Sequence, residues 1–309
     1  MGSLPKDYFV KSLQYTRKTF QDVYPAIDPS SSANSLAGKI AIITGASRGI
    51  GARGIAPSLA TAGVHGLVLV ARDEAKMKEV ETEVHRINPK IETLLVALDI
   101  TDEAAVKQLY TSIRERYGRA ADILVANAAV NAATNGGGPV LHEAAVDKWW
   151  SNFEINVKGF FILSKYFISS LPTPTSPATI INISTSGAWL VFPIAAPYSV
   201  SKLASQQWCT HLNAAYKGTL TVVSIHPGLV ETDMNADFTD FDLDTPALTG
   251  GLCAWVAADP ARSEFLSGRV ICANWDVEEL VARKSDIVAK NELTMDLTGS
   301  FGSEQFSAA

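Results

Sequence analysis

From Gly38 onward, short runs rich in Val, Ile, Leu and Ala alternate with longer stretches of mixed polarity. The apolar runs at 39–44, 67–71, 91–98, 122–126, 179–184, 220–225 and 269–273 each have strand length and end in turn-forming or polar residues. They read as continuous apolar segments rather than alternating ones, the pattern of strands covered on both faces. Between them lie helix-length stretches: one reaching to about Ala62, then 73–86, 102–117, 145–170 and a stretch that carries Tyr198. Strands separated by helices of ten or more residues predict βαβ units. The expected fold is therefore α/β: a doubly wound parallel sheet of about seven strands with helices on both faces.

Two regions depart from this pattern. The first helical stretch contains Gly54 and Pro57, and an interior proline costs about 3 kcal/mol; either the helix kinks there or Pro57 marks a closer approach to its neighbours. Residues 1–36 read as an arm and linker, with a helix around 8–20 and an extended, Ser-rich connection from Tyr24. The arm is expected to lie on the surface of a single domain spanning 37–309, which ends in a C-terminal extension.

Composition narrows the function. With 309 residues, 47% of them hydrophobic and 19% charged, the chain can bury a large core. Its net charge of −6 lacks the basic footprint that nucleic acids require. Cys209, Cys253 and Cys272 have no metal-ligand spacing and predict reduced, packed thiols and no metal site. The first 28 residues lack a signal-peptide apolar core, and no apolar run reaches membrane-spanning length. The expected location is cytoplasmic.

After the first strand comes Thr44-Gly45-Ala46-Ser47-Arg48-Gly49-Ile50-Gly51. Glycines placed between a buried strand and a helix let the backbone and the helix N-terminus meet a pyrophosphate. The second strand ends Val70-Ala71-Arg72, with a neutral residue where an acid would receive the ribose hydroxyls of NAD. Arg72 and Arg48 offer guanidinium forks to a 2′-phosphate. NADP(H) is favoured over NAD(H); Asp73 argues the other way unless it is occupied as a helix N-cap. Further along, Pro197 stands near the start of a helix in which Tyr198 and Lys202 are one turn apart. A phenol titrates near 10 in water, and an adjacent ammonium would pull that value down. Thr185 shares the strand parity of Ile181 and Ile183, with Ser184 and Ser186 on either side.

These motifs, in this order, resemble the short-chain dehydrogenase/reductase family in its single-domain, Rossmann-type form. The resemblance spans about residues 38–275 and rests on 44–51, Asp99, Asn127-Ala128, Asn156, the hydroxyl cluster at 184–186, Tyr198/Lys202, Pro227-Gly228 and Thr232. It implies that Gly45, Ser47, Arg48, Gly49, Ile50, Gly51 and Arg72 surround the phosphates and ribose. Asp99 would bond the adenine, Asn127 would lie along the cofactor, and Pro227, Gly228, Val230 and Thr232 would meet the nicotinamide. It further implies that Tyr198 protonates a carbonyl oxygen as hydride arrives and that a hydroxyl of the 184–186 cluster holds that carbonyl, Thr185 favoured by its parity and Ser184 second. Lys202 would hold the ribose and lower the phenol's pKa, and Asn156 would hold a water relaying protons from Lys202. The family's Asn-Asn-Ala-Gly here reads Ala126-Asn127-Ala128-Ala129. The arm around 24–28 and the tail 273–280 resemble fungal reductases of secondary metabolism.

The segment 231–249 would close the site. It carries Asp233, Asp237, Asp240, Asp242 and Asp244 among Met234, Phe238 and Phe241, an acidic flap that would repel anions. Trp189, Phe192 and Trp149 fall near the rim and suggest an apolar small-molecule ketone or alcohol. The favoured reading is a ketoreductase. A redox-neutral isomerase, epimerase or cyclase, and a cofactor-sensing regulator, stand as alternatives. A homodimer or homotetramer is expected through 145–170 and the Tyr198 helix, with Trp149, Phe153, Val157, Phe160 and Phe161 as the apolar seam.

Overall fold

The computed structural model describes residues 4–132, 141–234, 240–299 and 301–303. Its centre is a seven-stranded sheet in the order β3-β2-β1-β4-β5-β6-β7. The strands are β1 (Ile40–Thr44), β2 (Gly66–Ala71), β3 (Glu92–Ala97), β4 (Ile123–Ala126), β5 (Ala178–Ile183), β6 (Leu220–His226) and β7 (Val270–Cys272). Every pairing is parallel. The winding reverses between β1 and β4, so a crevice opens at the carboxyl ends of these neighbours.

Period two divides the strands between two cores. Ala41, Ile43, Leu67, Leu69, Ile181 and Ile183 join Ile55, Leu59 and Trp255 on one face. Ile40, Ile42, Val68, Val70 and Ile180 meet Leu109, Leu163 and Phe167 on the other. Phe160 is 4% exposed within this second core, so it cannot serve the expected intersubunit seam. Phe161, one position on, faces outward.

The proline conflict resolves through both of the alternatives. Gly51–Ile55 forms a π-helical turn, and Pro57 falls in the first turn of the α-helix Ala56–Thr61, where a missing N–H is tolerated. The same helix also approaches Pro246–Ala258 closely: a Cβ on Gly54 would lie 2.0 Å from the Pro246 carbonyl oxygen, and one on Gly250 2.3 Å from that of Gly54.

The arm differs from expectation. Helix is confined to Tyr8–Lys11, because side chains bond the backbone that a longer helix would need. The Gln14 amide donates to the Thr16 and Arg17 carbonyls, and Thr16 Oγ1 donates to that of Lys18. Nor is 24–29 an extended linker: Pro25–Ile27 is a 3₁₀ turn, Ile27 and Leu36 are fully buried, and Tyr24 donates its hydroxyl to the Trp275 carbonyl. The three cysteines are free and buried. No helix among the described residues is long and apolar enough to cross a membrane.

Candidate active site

The loops at the sheet's carboxyl edge enclose a cleft of about 290 Å³. It brings Gly45, Ser47, Arg48, Gly49, Ile50, Arg72, Asp99 and Asn127 together with Ser184, Thr185, Tyr198, Lys202, Pro227, Gly228 and Thr232. The cleft spans from the ends of β2 and β3 across the switch point to those of β5 and β6. Gly51, Asn156 and Val230 stand behind it, buried.

The glycine turn is shaped by its own packing. Gly45 and Gly49 have φ of +67° and +58°, a region that favours glycine. A Cβ on Gly51 would lie 2.4 Å from the Gly45 carbonyl oxygen, and one on Gly45 2.8 Å from Asn127 Nδ2. Asn127 donates to the carbonyls of Thr44 (2.9 Å) and Gly45 (3.2 Å), while Thr44 Oγ1 accepts from the N–H of Asn127 and of Ala128. The single amide left in the altered 126–129 motif thus laces the loops after β1 and β4 together. Open backbone above a helix start, bounded by Arg72 at one end and Tyr198 at the other, fits a dinucleotide.

The charges around the turn are partly engaged. Asp73 caps the helix Glu74–Ile87 by accepting from the Lys76 N–H, so this acid is engaged at the helix start. The Thr101 N–H and hydroxyl, with Arg72 nearby, hold the Asp99 carboxyl below the usual carboxylate range. Arg48, expected to face a phosphate, lines the cleft and pairs with Asp233 at 3.0 Å, and Arg53 donates to the Glu231 carbonyl. Both arginines therefore bind the segment that follows Pro227.

The acidic flap is correspondingly reduced. Asp244 is 3% exposed and Asp233, though at the surface with Asp240 and Asp242, is paired with Arg48; Asp237 and Phe238 lie outside the described residues. The expected aromatic rim is absent from the cleft lining. Trp189 stands edge-on to His226, and Trp149 stacks on Phe153 at 4.8 Å. Apolar lining comes instead from Val130, Ile155 and Met234.

The three candidate hydroxyls have different partners. Ser184 Oγ donates to the buried Gln206 Oε1 at 3.2 Å, away from the phenol. Thr185 continues the extended backbone past β5, and its side chain is hydrogen-bonded to Tyr198. The Gly187 N–H donates to Thr185 Oγ1 at 3.2 Å, leaving the hydroxyl proton for the phenol oxygen. Ser186 gives its backbone N–H to His226 Nδ1, and burial pushes that imidazole down to about 4, so it is neutral.

The lysine's effect differs from expectation. Lys202 donates to the Ile183 carbonyl at 2.7 Å, and its Nζ lies 6.0 Å from the Tyr198 ring centroid. Tyr198 keeps partial exposure to the cleft, but its hydroxyl is enclosed, and burial pushes it up to about 12 against the lowering effect of Thr185. Burial likewise pushes Lys202 down to about 8. In this state the phenol is a protonated donor.

Asn156 sits in the π-helical stretch Glu154–Gly159 within the long helix, a bulge that re-aims side chains. Its Oδ1 accepts from the Val130 N–H; its Nδ2 donates to the Val130 carbonyl and to Ser201 Oγ, each at 2.9 Å. The side chain thus braces the loop after β4 against the Tyr198 helix, where Ser201 Oγ donates to the Tyr198 carbonyl. Sequence reasoning missed the Ser184–Gln206 pair and the burial of Asp244. Neither has a signal in local pattern.

A family model for short chain dehydrogenases matches residues 39–242, more than half of the chain. Short chain dehydrogenase andI of Emericella variicolor is 32% identical over 293 residues, covering 92% of this chain and 96% of its own. Short chain dehydrogenase citE of Monascus ruber is 32% identical over 294 residues, covering 91% and 95%. Among solved structures, a short-chain dehydrogenase/reductase from Serratia marcescens superposes with a TM-score of 0.66 at 27% identity, covering 77% of this chain and 96% of that one. A short chain dehydrogenase from Burkholderia cenocepacia, solved in complex with NADP, gives 0.67 at 24% identity, covering 79% and 99%.

Proposed function

Because the chain belongs to the short chain dehydrogenase family, we propose that it is an NADP(H)-dependent oxidoreductase interconverting a ketone and a secondary alcohol on an apolar small molecule of fungal secondary metabolism. The observation that carries this reading is the Tyr198 hydroxyl bonded to Thr185, one helical turn from Lys202, in the same cleft as the glycine turn. A bound nicotinamide cofactor supplies or accepts the hydride. The residues of this chain do the rest. With a carbonyl bound, Thr185 would turn its hydroxyl from the phenol oxygen to the substrate oxygen, where the Tyr198 proton is also directed, as a developing alkoxide requires. Tyr198 delivers the proton to that oxygen, and Lys202 supplies positive charge beneath it. Val130, Ile155 and Met234 add apolar lining to the cleft. The test is incubation with NADPH and with NADH against cyclic and polyketide-like ketones, with products identified by mass spectrometry. Loss of NADPH absorbance matched to an alcohol product is expected; nucleotide binding without turnover of any ketone would sink the proposal.

The preference for NADP(H) rests on Ala71 and Arg72 at the end of β2 and on Asp73 being committed to its cap. Arg72→Ala is expected to raise KM for NADPH about tenfold, the worth of one charge-assisted phosphate contact. KM for NADH should stay within about twofold in the same variant. Equal changes for both nucleotides in steady-state assays would refute this assignment.

We also assign a homo-oligomer, sealed by the outward side chains Val146, Trp150, Phe161, Val200 and Leu203 on the two helices named for it above. Exposed apolar side chains gathered on two such helices are the kind that oligomeric chains bury against a copy. Sedimentation should find a dimer or tetramer, and Trp150→Glu with Phe161→Glu should dissociate it. A monomeric wild type at micromolar concentration would end that assignment.

A further inference from the structure

We propose that Asp244 is a positioning residue for the loop 228–230, and that the N-terminal arm is the part of the fold that holds it in place. The inference rests on the cofactor role proposed above.

Asp244 is 3% exposed, and a buried carboxylate is tolerated only when donors surround it. Its partners are neutral donors. Oδ2 accepts from the Leu229 N–H and Oδ1 from Asn274 Nδ2, both at 2.7 Å. The Gln21 carboxamide, whose nitrogen has no other partner among the described residues, faces the same carboxylate. Burial pushes the Asp244 carboxyl up to about 6, which still leaves it ionised at neutral pH, as a site made of donors requires.

The carboxylate also takes the place of a side chain. Gly228 has a φ of +86°, and a Cβ there would lie 2.2 Å from Asp244 Oδ2. The Asp244 N–H donates to the Leu229 carbonyl at 2.8 Å, and Val230 pairs with Asp244 in a parallel bridge. Main chain and side chain of one residue thus set the path of the loop after Pro227, whose members Pro227, Gly228 and Thr232 line the cleft.

What fixes Asp244 comes from the arm, more than 200 positions earlier in the chain. Phe20 and Asn274 exchange hydrogen bonds, Phe20 N–H to the Asn274 carbonyl and Asn274 Nδ2 to the Phe20 carbonyl, each at 2.9 Å. Thr245 gives its N–H to the Gln21 carbonyl and its hydroxyl to Asp22 Oδ1. Farther out, the Asp242 N–H donates to the Lys6 carbonyl, and Phe9 meets Phe241 edge-on at 4.8 Å. The arm therefore grips the far end of the flap and closes the Asp244 cage.

If the loop 228–230 meets the nicotinamide end, loosening its clasp harms that end of the cofactor and spares the adenosine end. Titration calorimetry with NADPH and with adenosine 2′,5′-bisphosphate reads the two ends separately; NADH and AMP are run beside them. Asp244→Asn places an amide N–H against donors and is expected to weaken NADPH binding at least about fivefold while leaving the bisphosphate within about twofold. Gln21→Leu, on the arm and only partly buried, is expected to give the same selective loss at about two- to threefold, and decides the matter alone should Asp244→Asn fail to fold. Equal weakening of both ligands, or unchanged NADPH binding, overturns the proposal. Wild-type protein that binds NADH and AMP in place of the phosphorylated pair moves the same comparison to those ligands and refutes only the phosphate preference. Wild type that binds no dinucleotide overturns the cofactor reading itself, and the positioning role with it.

Discussion

Tyr198→Phe lowers kcat by about three orders of magnitude while leaving nucleotide affinity within about threefold; that is the largest single effect expected of this protein. The substitution removes one oxygen from the end of a ring whose remaining contacts are unchanged in shape. What is lost is the proton donor, and Thr185 loses the partner toward which the Gly187 N–H turns its hydroxyl. Because burial pushes the phenol up to about 12, the wild-type group carries its proton across the physiological range and is set up to donate. Steady-state kinetics together with fluorescence titration of NADPH separate the two quantities. A variant that retained more than about a tenth of the wild-type kcat would remove Tyr198 from the chemistry.

The second large effect belongs to Lys202. Its ammonium is 3% exposed and bonded to the Ile183 carbonyl, and burial pushes it down to about 8. The sign follows from the charged form being the useful one. Below about 8 the cation stands beneath the phenol; above it the charge is lost. For ketone reduction, kcat/KM should therefore be level from about pH 6 to 7.5 and fall on the alkaline side by about tenfold per pH unit. Lys202→Met, close in length and uncharged, is expected to lower kcat/KM by about two to three orders of magnitude and to abolish that alkaline limb. A thermal melt controls for the cost of leaving the Ile183 carbonyl without its donor, about 1–3 kcal/mol. An alkaline limb that persists in Lys202→Met would assign the titration to another group.

Both effects depend on groups that the primary structure already displays in order. The Gly45–Gly51 turn could be placed above a switch point because its flanking strand and helix have different periods and its glycines have no other use. The parity of Ile181, Ile183 and Thr185 singled out the hydroxyl that the structure pairs with Tyr198, since alternation along a strand persists for a residue or two past its last ladder bond. Other readings failed where local pattern carries no information. Phe160 and Phe161 are chemically identical, and one is core while its neighbour is surface. Arg48 lines the cleft as charge suggested, and its pairing with Asp233, distant in sequence, had no local signal. The 8–20 helix gave way to side chains of Gln14 and Thr16 that bond the backbone in non-helical geometry.

By itself, the sequence determined the strands, their crossover helices, the glycine turn and the spacing of Tyr198 from Lys202. All of these follow from periodicity and local backbone chemistry, which act over a few residues. Only the tertiary structure decided that Ser184 answers to Gln206, that the Tyr198 hydroxyl is desolvated rather than softened by its neighbouring ammonium, and that Asp244 is interior while Asp233, Asp240 and Asp242 are exposed. Those outcomes depend on which distant segments meet, because desolvation and hydrogen-bond competition are properties of a place in space and not of a residue type.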